Sequence, residues 1–196
     1  MPFARLSLSP PPQVELQGNG AVPMSSLAIG DVIRTGVSQY SEIYAFAHKD
    51  SVETGDYLQL RTASERVLEI TVDHHVHRTA PYGTKEVVPA RDVRVGDTLW
   101  VVESEALAPS VVVGIRTVSK VGVHAPYTRE GNIVVNGILA SSYDETPHVV
   151  IGGYTLLSGS AMLHLATGPL RVACAVVPSA CSTDMHTHGD LVGQHP

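Results

Sequence analysis

The residues best suited to chemistry stand between Glu69 and Arg78, in the run E-I-T-V-D-H-H-V-H-R. Thr71 precedes His74 by three positions, and His75 and His77 follow at the end of an apolar, alternating stretch. A hydroxyl and an imidazole held close together can polarise an amide carbonyl and protonate the nitrogen that leaves it. His75 and His77, two apart on one strand face, are equally suited to be metal ligands or plain polar residues of that face. A metal would require third and fourth ligands from elsewhere, and the sequence offers no second cluster. His186, His188 and His195 lie together near the end, in a polar stretch read as disordered from about residue 182 to 196.

Positioning such residues falls to short strands. Val67 to Val72 is β-branched and alternating, which puts Thr71 and His74 at a strand end. Val14 to Leu16 alternates before Gly18-Asn19-Gly20, and Ala21 to Met24 resumes the pattern. Ser41 to Ala47 and Asp56 to Thr62 read as two further strands with Gly55 as the turn between them, and Val111 to Val123 as another. Ile133 to Leu139 is split by Asn136-Gly137, a pair suited to the two positive-φ positions of a type I′ turn. No long helical period occurs before residue 150, so the main domain is expected to be all-β.

A repeat organises these strands. Met24 to Ile33, ending in Ile-Gly-Asp-Val-Ile, recurs as Ala90 to Leu99, ending in Val-Gly-Asp-Thr-Leu. Two copies this far apart point to two similar halves about a pseudo-twofold axis; a solenoid needs more copies. The chain divides into a flexible start over 1–12, a domain over 13–146, an apolar extension over 147–181 with helical spacing at Ser158 to Ala166, and the tail.

Composition narrows the function. The chain has 196 residues, 43% apolar and 16% charged, enough for one domain with a core. A net charge of -6 with thirteen unclustered Lys and Arg argues against nucleic acid as a partner. Cys174 and Cys181 are the two cysteines, and their spacing suits neither a disulfide framework nor zinc. Met1 to Pro12 does not read as a secretory signal, which leaves the compartment unassigned. Val149 to Ala180 reaches a membrane-like length, but His164, Pro169, Arg171 and Pro178 interrupt it. The interruptions weigh against a spanning helix and leave 149–180 as the segment for any membrane association.

Several ordered motifs carry a resemblance. They are V-E-L-x-G-x-G at Val14, L-A-I-G-D at Leu27, S-E-I-Y-A-F-A-H at Ser41, L-E-I-T-V-D-H-H at Leu68 and V-R-V-G-D at Val93. The last and most specific is H-A-P-Y-T-R-E-G-N-I-V-V-N-G-I-L-A-S-S-Y, from His124 to Tyr143. Together they resemble the Hint domain of hedgehog proteins, the autoprocessing module shared with inteins. The resemblance implies a pseudo-symmetric all-β fold and self-cleavage, with no cofactor. It implies that an opening cysteine attacks the preceding carbonyl to form a thioester, which a second nucleophile then cleaves. The substrate is thereby the chain's own flanking segment upstream of the domain. Thr71 and His74 fall on the family's T-x-x-H. They would strain and polarise the scissile amide and protonate the departing amine.

Two departures stand against that pattern. Where the family opens with cysteine, this chain has Ser7-Leu8-Ser9-Pro10, so Ser7 is the nucleophile-equivalent position. A hydroxyl is far less acidic than a thiol and needs a base, so self-cleavage is expected to be impaired. His48 stands where sterol-transferring hedgehogs carry an aspartate that activates the sterol hydroxyl. It is a candidate base toward water or another acceptor, and sterol transfer is not implied. Ser142 stands where many members have cysteine, and is read as a packing residue. The competing reading is a non-catalytic β module, derived from a Hint domain, that serves interaction or membrane association.

Overall fold

Alternating apolar positions and closely spaced turn residues produce strands almost throughout. The computed structural model describes residues 11–80, 83–143, 149–151, 154–157 and 168–169. In chain order come β1 (Gln13–Leu16), β2 (Gly20–Pro23), a 3-10 turn at Met24–Ser26, β3 (Val32–Arg34), β4 (Tyr40–Thr62) and β5 (Val67–Ile70). Then follow β6 (His75–Thr79), β7 (Lys85–Pro89), a second 3-10 turn at Ala90–Asp92, β8 (Thr98–Glu103), β9 (Ala106–Thr128), β10 (Asn132–Val135) and β11 (Ile138–Ser141). These eleven strands share one hydrogen-bonded sheet in the order β10-β1-β3-β4-β9-β8-β11-β6-β7, with β2 on β1 and β5 on β4. A separate antiparallel pair is made by β12 (Val149–Ile151) and β13 (Tyr154–Leu157). The all-β expectation holds. The helical spacing of Ser158 to Ala166, the tail and both cysteines lie outside the described residues. Among the described residues, no helix is long and apolar enough to cross a membrane.

The Gly-Asp repeat is repeated in three dimensions, bond for bond. Pro23 and Pro89, with φ near -60°, lead into the two 3-10 turns. Leu27 and Val93 follow, donating back to Met24 and Ala90, and both side chains are buried. Gly30 and Gly96 then take φ of +92° and +100°, the left-handed region that glycine enters without a Cβ penalty. Asp31 and Asp97 close the turns: each carboxylate accepts the amide three residues back, from Ala28 and Arg94, at 2.8 Å in both copies. Gly30 N donates to Ile43 O and Gly96 N to Val112 O, each at 2.9 Å. The returning bonds, Ile43 N to Asp31 O and Val112 N to Asp97 O, measure 2.8 and 2.7 Å.

Each half then runs into a strand of 23 residues, and these strands, β4 and β9, pair with each other from Ile43↔Thr128 to Thr62↔Val112. Gly55 is therefore not the turn that the sequence suggested. It lies inside β4 opposite Lys120, and the chain passes straight through it. The continuous partner strand overrides the local turn signal, and the pairing is interrupted by register shifts elsewhere along β4. One falls between Asp50 and Thr54, where the Asp50 carboxylate accepts the amides of Val52 and Glu53 at 2.7 and 2.9 Å.

The core lies between the halves. Val14, Ile33, Ile43, Leu60, Leu68, Val76, Leu99, Val101 and Ile138 are essentially sealed from water. Each contributes about 1.5–3 kcal/mol relative to an exposed side chain. The Asn136-Gly137 hairpin forms as expected, with φ of +50° and +81°.

Candidate active site

Thr71 and His74 sit in the tight turn that joins β5 to β6. β5 is fixed by pairing Leu58 to Arg61 of β4 with Ile70 to Val67. The turn closes when His74 N donates to Thr71 O at 3.2 Å. The second 3-10 turn grips it from outside: Arg91 N donates to Val72 O at 2.9 Å, Ala90 N donates to His74 O at 2.8 Å, and Arg91 pairs with the Asp73 carboxylate. The His74 ring is tethered as well, its Nε2 donating to the Ser141 carbonyl at 2.9 Å. A carbonyl only accepts, so Nε2 carries the proton, and the ring nitrogen that would address a substrate is Nδ1.

Both residues border a cavity of about 380 Å³. His48 of β4 lies on the same cavity, as do Ser141 and Ser142 from the end of β11 and Pro11 and Pro12 from just before β1. The start of the domain thus reaches the cavity that holds Thr71 and His74. Pro12 is held there, its carbonyl accepting Met24 N at 2.9 Å. Ser7 lies outside the described residues. Ser142 is buried and takes the hydroxyl of Thr128 at 3.3 Å, so it packs against the β9 end. Beside it stands the aromatic group of Tyr44, Tyr127 and Tyr143, with the last two rings edge to face at 5.1 Å.

His75 and His77 go elsewhere. His75 is buried, and half-buried His77 donates from Nε2 to Asn132 Oδ1 at 2.9 Å. Among the described residues, no group of three His, Cys, Asp or Glu is placed to hold a metal ion.

Two features of the cavity wall escaped the sequence reading. Glu69 is buried, with Gln59 donating to it at 2.7 Å and the Lys120 ammonium 2.6 Å from its other oxygen. A lone acid in an otherwise apolar strand was the available signal for a buried ion pair. The second feature is His124 of β9, opposite Lys49 of β4. It opens the His124 to Tyr143 motif but carries no role there, and β4–β9 register is what brings it to the cavity.

Comparisons with known proteins converge on one family. The model of the Hint module matches residues 9–171. Protein hedgehog of Drosophila erecta is 30% identical over 174 residues, covering 83% of this chain and 34% of that protein. Warthog protein 1 of Caenorhabditis elegans is 26% identical over 129 residues, covering 64% of this chain and 27% of that protein. The chain spans about a third of the length of the curated relatives it matches. Among solved structures, the gp41-1 intein superposes with a TM-score of 0.54 at 14% identity, covering 66% of this chain and 93% of that one. A variant of the Ssp DnaB mini-intein gives 0.56 at 13%, covering 75% and 97%. At such identities the likeness to inteins carries the fold.

Proposed function

Because the chain belongs to the Hint family, as a hedgehog-type domain related to inteins, we propose that its cavity is an autoprocessing site acting on the peptide just upstream of β1. One observation supports this above the rest: Pro11 and Pro12 share the cavity with Thr71 and His74. The chain's own entry is thereby presented to a hydroxyl and an anchored imidazole. Thr71 polarises and strains the scissile amide. His74, held by the Ser141 carbonyl through Nε2, delivers a proton from Nδ1 to the departing nitrogen when its ring is doubly protonated. An amine is a poor leaving group until protonated, so this transfer decides whether the acyl group can move to a side-chain nucleophile.

The acyl intermediate is then cleaved by an acceptor approaching through the cavity. His48, on the cavity wall, is the first candidate for a base toward that acceptor. Sterol is not assumed as the acceptor, since a histidine replaces the aspartate that activates it in the sterol-transferring relatives. With Ser7 in place of the opening cysteine, the chain carries the proposed amide-activating residues with a sluggish nucleophile.

The test restores the nucleophile. A reporter is fused ahead of residue 7, residues 7 to 10 are replaced by Cys-Phe-x-Gly, and dithiothreitol is added. Release of the reporter that disappears in His74→Ala supports the reading. A restored chain that folds and releases nothing would instead favour the non-catalytic β module.

A further inference from the structure

His124 has no part in the chemistry assigned so far. It borders the cavity along with His48 and His74. Its Nε2 is sealed from water and meets no hydrogen-bond partner among the described residues. A buried polar atom without a partner is a cost that folds retain where a ligand or reacting group completes the set.

The ring is positioned rather than left over. Gly122 takes φ of +98°, and a Cβ built there would stand 3.1 Å from His124 Cε1. Tyr57 fixes the same peptide, donating its hydroxyl to the Gly122 carbonyl at 2.8 Å. Burial, reinforced by the Lys49 ammonium and opposed by Asp50, pushes the His124 pKa below its ordinary value of 6.5. At neutral pH the ring is therefore neutral, and one of its nitrogens carries no proton. Lys49 itself is committed, donating to Leu27 O at 2.9 Å and lying 4.9 Å from the Phe46 ring centre.

We infer that His124 is the catalytic base of the second step, accepting the proton of an oxygen acceptor, water or an alcohol, as it attacks the acyl intermediate. The inference rests on the autoprocessing reading and deepens it by naming His124, ahead of His48, as the group that activates the acceptor. In the restored chain, the acceptor oxygen bonds to the acyl carbon and its proton passes to His124. The carbon–sulfur bond breaks, and the electron pair leaves on the cysteine sulfur. A small thiol ionises appreciably on its own at mildly alkaline pH, so it cleaves the same intermediate without the base.

That difference supplies the test. The full chain with Cys-Phe-x-Gly at residues 7 to 10 and an upstream reporter is followed with dithiothreitol, in plain buffer, and in buffer with glycerol. The mass of the released reporter separates water, which leaves a carboxylate, from glycerol, which leaves an ester. In His124→Gln, and again in His124→Asn, the ratio of oxygen-driven to thiol-driven release is expected to fall at least tenfold. His48→Gln should move that ratio less. An unchanged ratio overturns the inference, as does an equal fall in both routes or a fall confined to His48→Gln. If the unsubstituted restored chain releases nothing with dithiothreitol, the autoprocessing reading itself fails, and the role of His124 fails with it.

Discussion

Pro12 and His74 occupy matching places in the two halves and bring different things to the cavity. Each is the residue before its half's first strand, with Gln13 paired to Pro23 in one and His75 to Pro89 in the other. Each offers its carbonyl to the first residue of a 3-10 turn, Met24 or Ala90, at 2.9 and 2.8 Å. Both border the same cavity. The duplicated backbone therefore brings two chain entries to one place. At one entry the side chain is a proline leading out toward the proposed scissile peptide, and at the other it is an imidazole. The frame is symmetric, and the proposed chemistry comes from where side chains break that symmetry.

The ends of the halves differ in the same way. β5 runs into the tight turn of Thr71 to His74, whereas β10 runs into the Asn136-Gly137 hairpin. The sharpest way to break the comparison is to remove each turn's polar residue in the restored chain. His74→Ala should slow thiol-induced release by 100-fold or more, the scale of a lost general acid. Asn136→Ala should leave the rate per folded molecule unchanged. It should cost about 1–2 kcal/mol of stability in a urea titration. That loss comes from the 2.8 Å bond accepted from Gln13 N, the 2.7 Å bond donated to Val67 O, and a φ of +50° that alanine tolerates less well than asparagine.

Where the halves are alike, matched substitutions should behave alike. Gly30 and Gly96 each face open space, so alanine at either meets backbone strain and nothing else. Gly30→Ala and Gly96→Ala should each cost about 1–2 kcal/mol, and by nearly the same amount, in denaturant midpoints. The aspartates that follow should differ slightly. Asp97 also takes the Arg78 guanidinium at 3.0 Å, while Asp31 serves its turn amide. Asp97→Ala should therefore exceed Asp31→Ala by about 0.5–1 kcal/mol, and added salt should narrow the gap.

The smallest effect comes from His77, which is special to the second half. Burial lowers its pKa below 6.5, partly offset by the Asn132 carboxamide. The unfolded chain then binds a proton more readily than the folded one. Stability from this group is full above about pH 6.5 and is lost as the pH falls through the folded-state pKa. Denaturant midpoints measured between pH 7 and 5 should show a shallower fall in His77→Gln.

Much of this was legible in the sequence because it is local. The Asn136-Gly137 turn, the Gly30-Asp31 and Gly96-Asp97 repeat, and the strand end carrying Thr71 and His74 each depend on a few adjacent residues. What was not legible depends on register. Gly55 reads as a turn until a continuous partner strand is laid beside it. His124 and Lys120 reach the cavity through β4–β9 pairing, and its shifts between Phe46 and His48 and between Asp50 and Thr54 leave no periodic trace. Glu69 is buried where β-alternation alone would expose it, because Lys120 and Gln59 arrive across strands.

The long pairing of β4 with β9 has a consequence for any attempt to divide the molecule. Each half lends its longest strand to the other, as the arms of a domain-swapped dimer do. A half expressed alone would expose most of one edge of a 23-residue strand, with its amides and carbonyls open to any neighbouring chain. Separated halves should therefore aggregate when made singly and stay in solution when made together, so that solubility itself becomes a property of the pair.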